Sequence, residues 1–393
     1  MKKKFIALSL YLFFSSSLPL NAKSVMTIGG GQKDIFIRYK GTTNVNSPLK
    51  KKKIEIQNPL TYTAAGGGAV NAAISFQRQG FATSIFLKLG QDESSQFFFK
   101  KLESEGINTN HIILSPTYGT GISYIVPCEN GDHTILVYRG SNEFLKPEDL
   151  PEEVIKGSDI LYATSLNGES KNIFLPALQI AKEGNVVTAV NPGSAQIRQE
   201  AETLKKALPY IDILLLNKVE TKHLIYELVK LNPELKPILD KENVKMAEVD
   251  IPDLLKEQIV HEDISFNLTQ FFKIILDFGP KVAVVTNGSK GVYVATNKNI
   301  YFVPSAPADV INTTGAGDAF NSCFVGMLLK HAKSLDEAIS NGKIERAITL
   351  AVVNSASVIT FMDSNKGLLN QDELEMRARF VRDKLELQKF PLE

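Results

Sequence analysis

Tryptophan is absent from this chain of 393 residues, and cysteine occurs only twice, at Cys128 and Cys323. Two cysteines so far apart, with no C-x-x-C pair and no histidine pattern beside them, give neither a disulfide framework nor a zinc site. An excess of either charge is lacking too. The 44 basic residues nearly balance the 43 acidic ones, for a formal net charge of +1. Without a basic field the chain has no evident means of holding nucleic acid or an anionic membrane, so small molecules are the favoured partners. Internal repeats and low-complexity tracts are missing as well. What is present is ordinary for a globular protein: 44% hydrophobic and 22% charged residues, enough for one large domain or two modest ones.

The N-terminus stands apart. Lys2, Lys3 and Lys4 precede an uncharged apolar run over 5–14, and a stretch over 15–22 ends at the small residue Ala22. This is the three-part form of a secretory signal, and it is short for a membrane span. The alternative is a mis-set start, because Met26 already begins a buried strand that enters a Gly turn. Residues 1–23 are therefore set aside as a signal-like or mis-annotated extension, and 24–393 are taken as the folded domain. The two readings give two locations: export through a signal peptide at 1–22, or the cytoplasm if translation starts near Met26.

From residue 25 the apolar runs alternate between strand and helix period. Strands are expected at 25–30, 83–88, 160–163, 186–190, 211–216 and 282–286, with helices between them. That rhythm predicts a parallel sheet covered by helices on both faces. Two β excursions interrupt it, at 35–57 and at 122–138, the second turning at Asn130-Gly131. A charged, Pro-rich stretch near 231–266 reads as a partly helical surface insertion. The chain closes on long apolar helices at 320–330 and 344–360, and then a charged helix at 371–388.

Several short motifs lie on this frame. The run Asn312-Thr313-Thr314-Gly315-Ala316-Gly317-Asp318 sits where a loop turns into a helix. Unpaired N–H groups and the positive end of a helix dipole make such a junction an anion hole, and small residues let the anion approach. Asp318 is a carboxylate at its rim, where a general base beside a transferring phosphoryl group belongs. Asp34 follows the first strand and its Gly turn, well placed to face a ligand crevice. Gly66-Gly67-Gly68 leads into a helix carrying Asn71. Asn217 and Glu220 are three apart at a helix start, suited either to order a Mg²⁺ hydration shell or simply to cap the helix.

Together these pieces resemble the ribokinase-like carbohydrate kinase (PfkB) family over roughly residue 25 to the end. The G-A-G-D loop is similar to its C-terminal signature and Gly66-Gly67-x-x-x-Asn71 to its N-terminal one. Asn217-x-x-Glu220 matches its metal–phosphate motif, and Thr286-Asn287-Gly288 with Gly291 its nucleotide-side turn. The resemblance implies an α/β fold: a ribokinase-like three-layer α/β/α sandwich with a mostly parallel central sheet and a small β-sheet lid. It implies an ATP- and Mg²⁺-dependent phosphotransferase acting on a hydroxyl of a small sugar. A nucleoside kinase is the alternative within the family. An exported, non-catalytic sugar- or nucleotide-binding protein is the alternative outside it.

The implied roles follow the motifs. Asp318 is the base, and Gly315, Ala316 and Gly317 form the anion hole with it. Asp34, Gly66, Gly67 and Asn71 bind the sugar. Asn217, Glu220, Thr286, Gly288, Gly291 and Asn354 line the nucleotide side. Asn217 and Glu220 hold Mg²⁺ through water. Asn312 replaces an Asp that in many members helps to bind a monovalent cation, and keeps only a carbonyl ligand. The two β excursions form a lid that members often share between two subunits, which implies a homodimer.

Overall fold

The computed structural model describes residues 22–37, 62–127, 133–239, 251–381 and 385–392. In chain order the strands are β1 (Ser24–Ile28), β2 (Gln32–Phe36), β3 (Tyr62–Gly66), β4 (Ala82–Gly90), β5 (Ile112–Ser115), β6 (Gly121–Pro127), β7 (His133–Tyr138), β8 (Ile160–Thr164), β9 (Val187–Asn191), β10 (Ile213–Asn217), β11 (Ile259–His261), β12 (Ile264–Phe266), β13 (Val282–Thr286), β14 (Val292–Thr296), β15 (Asn299–Val303) and β16 (Gln388–Pro391). Ten of them form one sheet in the order β16-β15-β14-β13-β10-β9-β8-β1-β4-β5. Every pairing from β13 to β5 is parallel, and the three pairings from β13 to β16 are antiparallel.

The reason lies in the strand sequences. Ile213, Leu215, Val282 and Val284 pack into the core on one face of the sheet. Their neighbours Leu214, Leu216, Ala283 and Val285 pack into the core on the other. Alternate side chains leave opposite faces of a strand, so an unbroken apolar run requires cover on both sides. Helices supply it. The helices Ala316–Leu329 and Lys343–Val358 pack against each other and fill one face. Cys323 is fully buried there, and burial pushes its thiol well above the usual range. It is a core residue, as its place in the sequence suggested, while Cys128 lies outside the described residues.

A separate four-stranded sheet, β3-β2-β6-β7, forms the lid. Strand β2 pairs antiparallel with β3 and parallel with β6, and β7 closes the edge. Phe36, Ala64 and Ile125 turn inward onto Met362. The first excursion differs from its sequence reading. Its strand begins at Gln32 rather than at residue 35, the partner is β3, and the run expected over 53–57 lies outside the described residues. Alanine and glycine dominate β3, so no period-two pattern marked it.

Two other expectations need correction. The stretch near 231–266 is not simply a surface insertion. Leu235, Leu239, Leu254, Leu255, Ile264 and Phe266 join the main core, and β11–β12 form a small hairpin. Its apolar residues are spaced by turns and short pieces, so no single period revealed them. The last helix, described over Gln371–Val381, does not reach 388: residues 385–387 are irregular, and β16 then adds to the edge of the central sheet.

Phe266 is fully buried. Phe266→Ala should cost about 3–5 kcal/mol by leaving a cavity. A urea-unfolding midpoint indistinguishable from wild type would show that the segment is not part of the core.

Candidate active site

Thr164, Asn191, Asn217 and Thr286 end the adjacent strands β8, β9, β10 and β13. Thr164 pairs in register with Asn191, and Asn217 with Thr286. A row of polar side chains thus marks the carboxyl edge of the sheet, where open α/β sheets bind ligands. A cavity of about 220 Å³ opens at this edge. Gly30, Gly67 and Gly68 give it a backbone wall, Gln32 comes from the lid, and Asn142, Thr164 and Asn191 are among its polar groups. Asp318 also lines it.

The helix Ala316–Leu329 begins at Gly315, which has a left-handed φ of 83° and provides no side-chain cap. A Cβ at Gly315 would lie 2.6 Å from Cβ of Ser364, so glycine is required for both reasons. Ala316 N–H donates to the Thr313 carbonyl at 3.3 Å. The hole expected from Ala316, Gly317 and Asp318 therefore narrows to the donors of Gly317 and Asp318. A Cβ at Gly317 would meet no atom within 4 Å, so that side of the loop is open.

Asn71 Nδ2 donates to Asp318 Oδ2 at 2.8 Å. Two motifs 247 residues apart thereby meet in one bond. Burial raises the Asp318 pKa above the usual carboxylate range, against the pull of the Asn71 donor. Asp34, buried on β2, has its pKa raised to about 7, chiefly by burial, although Ser123 bonds to it. The negative charges of Asp363 and Asp318 add to the rise. A Cβ at Gly66 would strike Asp34 Oδ2 at 1.8 Å, so Gly66 makes room for this carboxylate. Gly67 has φ of 100°, and a Cβ there would meet the Gly30 carbonyl oxygen at 2.4 Å.

Asn217 and Glu220 form a capping box. Asn217 Oδ1 accepts from the N–H groups of Val219 and Glu220, both at 2.9 Å, and Glu220 Oε2 accepts from Asn217 N–H at 2.9 Å. The box does not exhaust Glu220. Its pKa is raised to about 7, first by burial and also by the negative charge of Asp318, against hydrogen bonds from Asn217 and Asn191. Glu220 is thus a buried carboxylate at this edge that feels the charge of Asp318. Among the described residues no group of three or more His, Cys, Asp or Glu side chains forms a ready cage. A cation there would keep most of its water.

Other expected residues are placed differently. Thr286 ends β13 beside Asn217, and Gly288 follows in an open turn with φ of 57°. Gly291 has φ of 104°, and a Cβ there would lie 2.4 Å from the Val303 carbonyl oxygen, so it serves the β14–β15 hairpin. Asn354 does not offer a free contact to a purine. It is fully buried, donates to the Ala319 carbonyl and accepts from Leu369 N–H, each at 2.9 Å. Its amide ties this helix to the helix Ala316–Leu329 and to the backbone at Leu369. Asn312 accepts from Thr314 N–H and Oγ1 at 3.1 and 2.9 Å and donates Nδ2 to the Met362 carbonyl at 2.8 Å. Its carbonyl is thus engaged inside the protein, which leaves a monovalent cation little to bind.

Two cavity residues, Asn191 and Asn142, were not among the expected site residues. Asn142 Oδ1 accepts from Gly31 N–H at 3.0 Å, and its Nδ2 donates to the Gly31 and Arg139 carbonyls at 2.8 and 3.0 Å. It clamps the Gly turn that carries the cavity wall. Asn191 could have been found as a polar residue ending an apolar strand, the same signal that marked Asn217.

The model of the pfkB family carbohydrate kinase matches residues 45–367. The chain belongs to this family. Among curated proteins, this PfkB-family kinase is 26% identical over 320 residues to the ribokinase of Staphylococcus aureus (strain COL), covering 79% of the chain and 91% of the relative. It is 24% identical over 343 residues to the bifunctional ribokinase/ribose-5-phosphate isomerase A of Fructilactobacillus sanfranciscensis, and spans only 56% of that longer protein. Among solved structures, the Arabidopsis thaliana ribokinase complexed with ribose and ATP aligns with a TM-score of 0.68 at 18% identity, over 91% of this chain and 99% of that one. Giardia lamblia ribokinase aligns with a TM-score of 0.69, also at 18% identity, over 91% of this chain and 99% of that one. The fold is the ribokinase-like α/β fold, and the enzyme is a carbohydrate kinase. Among the described residues no helix is long and apolar enough to cross a membrane.

The raised carboxylates set a pH dependence. Asp34 goes from 3.8 to about 7 on folding and Glu220 from 4.5 to about 7. Between those limits the folded kinase holds protons that the unfolded chain releases, so stability falls as pH rises through the window. Asp34→Asn should melt above wild type at about pH 8 and close to it at about pH 4. A gain of equal size at both pH values would contradict the assignment.

Proposed function

We propose that this kinase moves the γ-phosphoryl group of ATP to a hydroxyl of a small sugar, with Asp318 as general base. The observation that carries the reading is the Asn71–Asp318 bond of 2.8 Å at the open start of a helix, beside a polar cavity. The sugar sits in that cavity between the lid and Gly67, against Gln32 and Asn142; Asp34 and Asn71 stand behind its wall and bear on it through Gly66 and Asp318. Asp318 takes the proton of the attacking hydroxyl. Its raised pKa makes it a stronger base than a solvated carboxylate. The N–H groups of Gly317 and Asp318, with the helix dipole behind them, stabilise charge as it shifts on the transferring group.

The remaining roles follow the strand edge. Glu220 and Asn217 hold Mg²⁺ through water. When bound, the ion neutralises phosphate charge that would otherwise repel Asp318 and Glu220. Thr286 and Gly288 lie along the nucleotide. The lid keeps water from competing as acceptor. ATP and Mg²⁺ are named with an Escherichia coli putative ribokinase II of the same fold, which supports both here.

A sugar is favoured over a nucleoside by size. About 220 Å³ is below the range of drug-sized pockets, and glycine backbone, amides, hydroxyls, Arg139 and Asp318 line it without an aromatic face among them. The lid also favours a homodimer. Ile135, Leu136, Val137 and Tyr138 are all exposed in succession on its edge strand. Edges of this kind invite pairing with a second chain.

The test is an ATP-consumption screen with Mg²⁺ against pentoses, keto-hexoses and nucleosides. Turnover should be highest with a furanose or keto-sugar, and light scattering should give about twice 43.3 kDa. Preference for a nucleoside would overturn the substrate reading, turnover with no acceptor would overturn the function, and a monomeric mass would overturn the dimer.

A further inference from the structure

Asp363, Ser364 and Asn365 are buried between the lid and the base, and the reaction as described gives none of them a role. They form a turn after the helix Lys343–Val358. Between them they bond to β3 and to Asn71. Tyr62 on β3 donates its hydroxyl to Asp363 Oδ2 at 2.6 Å. Ser364 Oγ donates to Asn71 Oδ1 at 3.0 Å. Asn365 Nδ2 donates to the Ala65 carbonyl of β3 and lies 3.5 Å from Asn71 Oδ1.

The turn is itself braced. Asn365 N–H donates to Asp363 Oδ1 at 2.8 Å. Arg78 donates to the carbonyls of Asn365 and Leu368 at 2.9 and 2.8 Å, and its guanidinium is held by Glu105. Ser364 also packs directly against Gly315, where a Cβ would lie 2.6 Å from its own. The turn therefore touches the lid, the sugar-side asparagine and the anion-hole loop at once.

The consequence falls on Asn71. An amide can turn either its oxygen or its nitrogen toward Asp318, and only the nitrogen donates. Two donors converge on Oδ1, which leaves Nδ2 facing the carboxylate. Flipping the amide would set its nitrogen against the Asn365 Nδ2 donor at one end and its oxygen against the carboxylate at the other, while the Ser364 hydroxyl holds the amide in place. Ser364 and Asn365 thus act on what Asp318 receives without touching it.

We propose that Asp363, Ser364 and Asn365 form a positioning joint, which fixes Asn71 in the orientation that donates to Asp318 and links that orientation to the lid through Tyr62. The proposal rests on the reading of Asp318 as base. It makes the base fully set only when β3 is seated over the cavity.

The test compares kcat, acceptor KM, the pH profile and thermal melting. In Ser364→Ala, kcat should fall about tenfold, the worth of one hydrogen bond near a charge, while acceptor KM changes less than about twofold. The acid limb of kcat should move to higher pH, because the donor that opposes burial of Asp318 is no longer held. Tyr62→Phe keeps the ring and removes only the latch. It should lower kcat in the same direction, and the double variant should lose less than the product of the single losses. An unmoved kcat and acid limb in Ser364→Ala would overturn the joint. If Ser364→Ala melts early, an unmoved acid limb in Tyr62→Phe would overturn it instead. Asp318→Asn in the same assay separates the two ideas: turnover retained there sinks the base assignment itself, whereas turnover lost there with Ser364→Ala unaffected sinks only the joint.

Discussion

A half-buried carboxylate on the cavity wall, with one amide donor and the open end of a helix for company, is the constraint on which the rest of this structure depends. Burial disfavours the charge of Asp318, while the amide of Asn71 and the helix dipole favour it. The balance leaves a carboxylate with raised affinity for a proton, fixed in the first turn of a helix. Gly315 must be glycine so that the loop can turn and pass Ser364. Gly66 and Gly67 must be glycine so that the lid carboxylate and the Gly turn at residues 29–31 can close the cavity.

The same constraint accounts for the crowding of negative charge. Burial first, and the charge of Asp318 in addition, raise the pKa values of Asp34 and Glu220 to about 7. An arrangement of this kind is poor for stability alone. It suits a reaction in which a proton, a metal ion and a phosphoryl group all arrive in one small volume. The central sheet provides the rigid edge on which these groups stand, and its strands are buried on both faces.

How legible was this in the sequence? The parallel sheet was, because runs such as Ile213–Leu216 are apolar at every position and only a sheet covered on both faces accommodates that. The G-A-G-D loop and Asn71 were legible too, since glycine punctuation before a helix marks a backbone ligand site. Strand β3 was not, because Ala64, Ala65 and Gly66 carry no period. The core role of residues 251–266 was hidden by short elements. The partners of Asn354 and Asn312 were not legible: only the fold shows that their amides are engaged by backbone. The bond between Asn71 and Asp318, and the turn behind it, depend on contacts more than 240 residues apart along the chain. No local pattern encodes them.

The most direct test of the central claim is single-turnover phosphoryl transfer in Asp318→Asn, with sugar and ATP binding measured separately by calorimetry. If Asp318 is the base, both ligands should bind with affinity close to wild type while transfer slows by about 10²–10⁴-fold. Transfer at a near-wild-type rate would contradict the account.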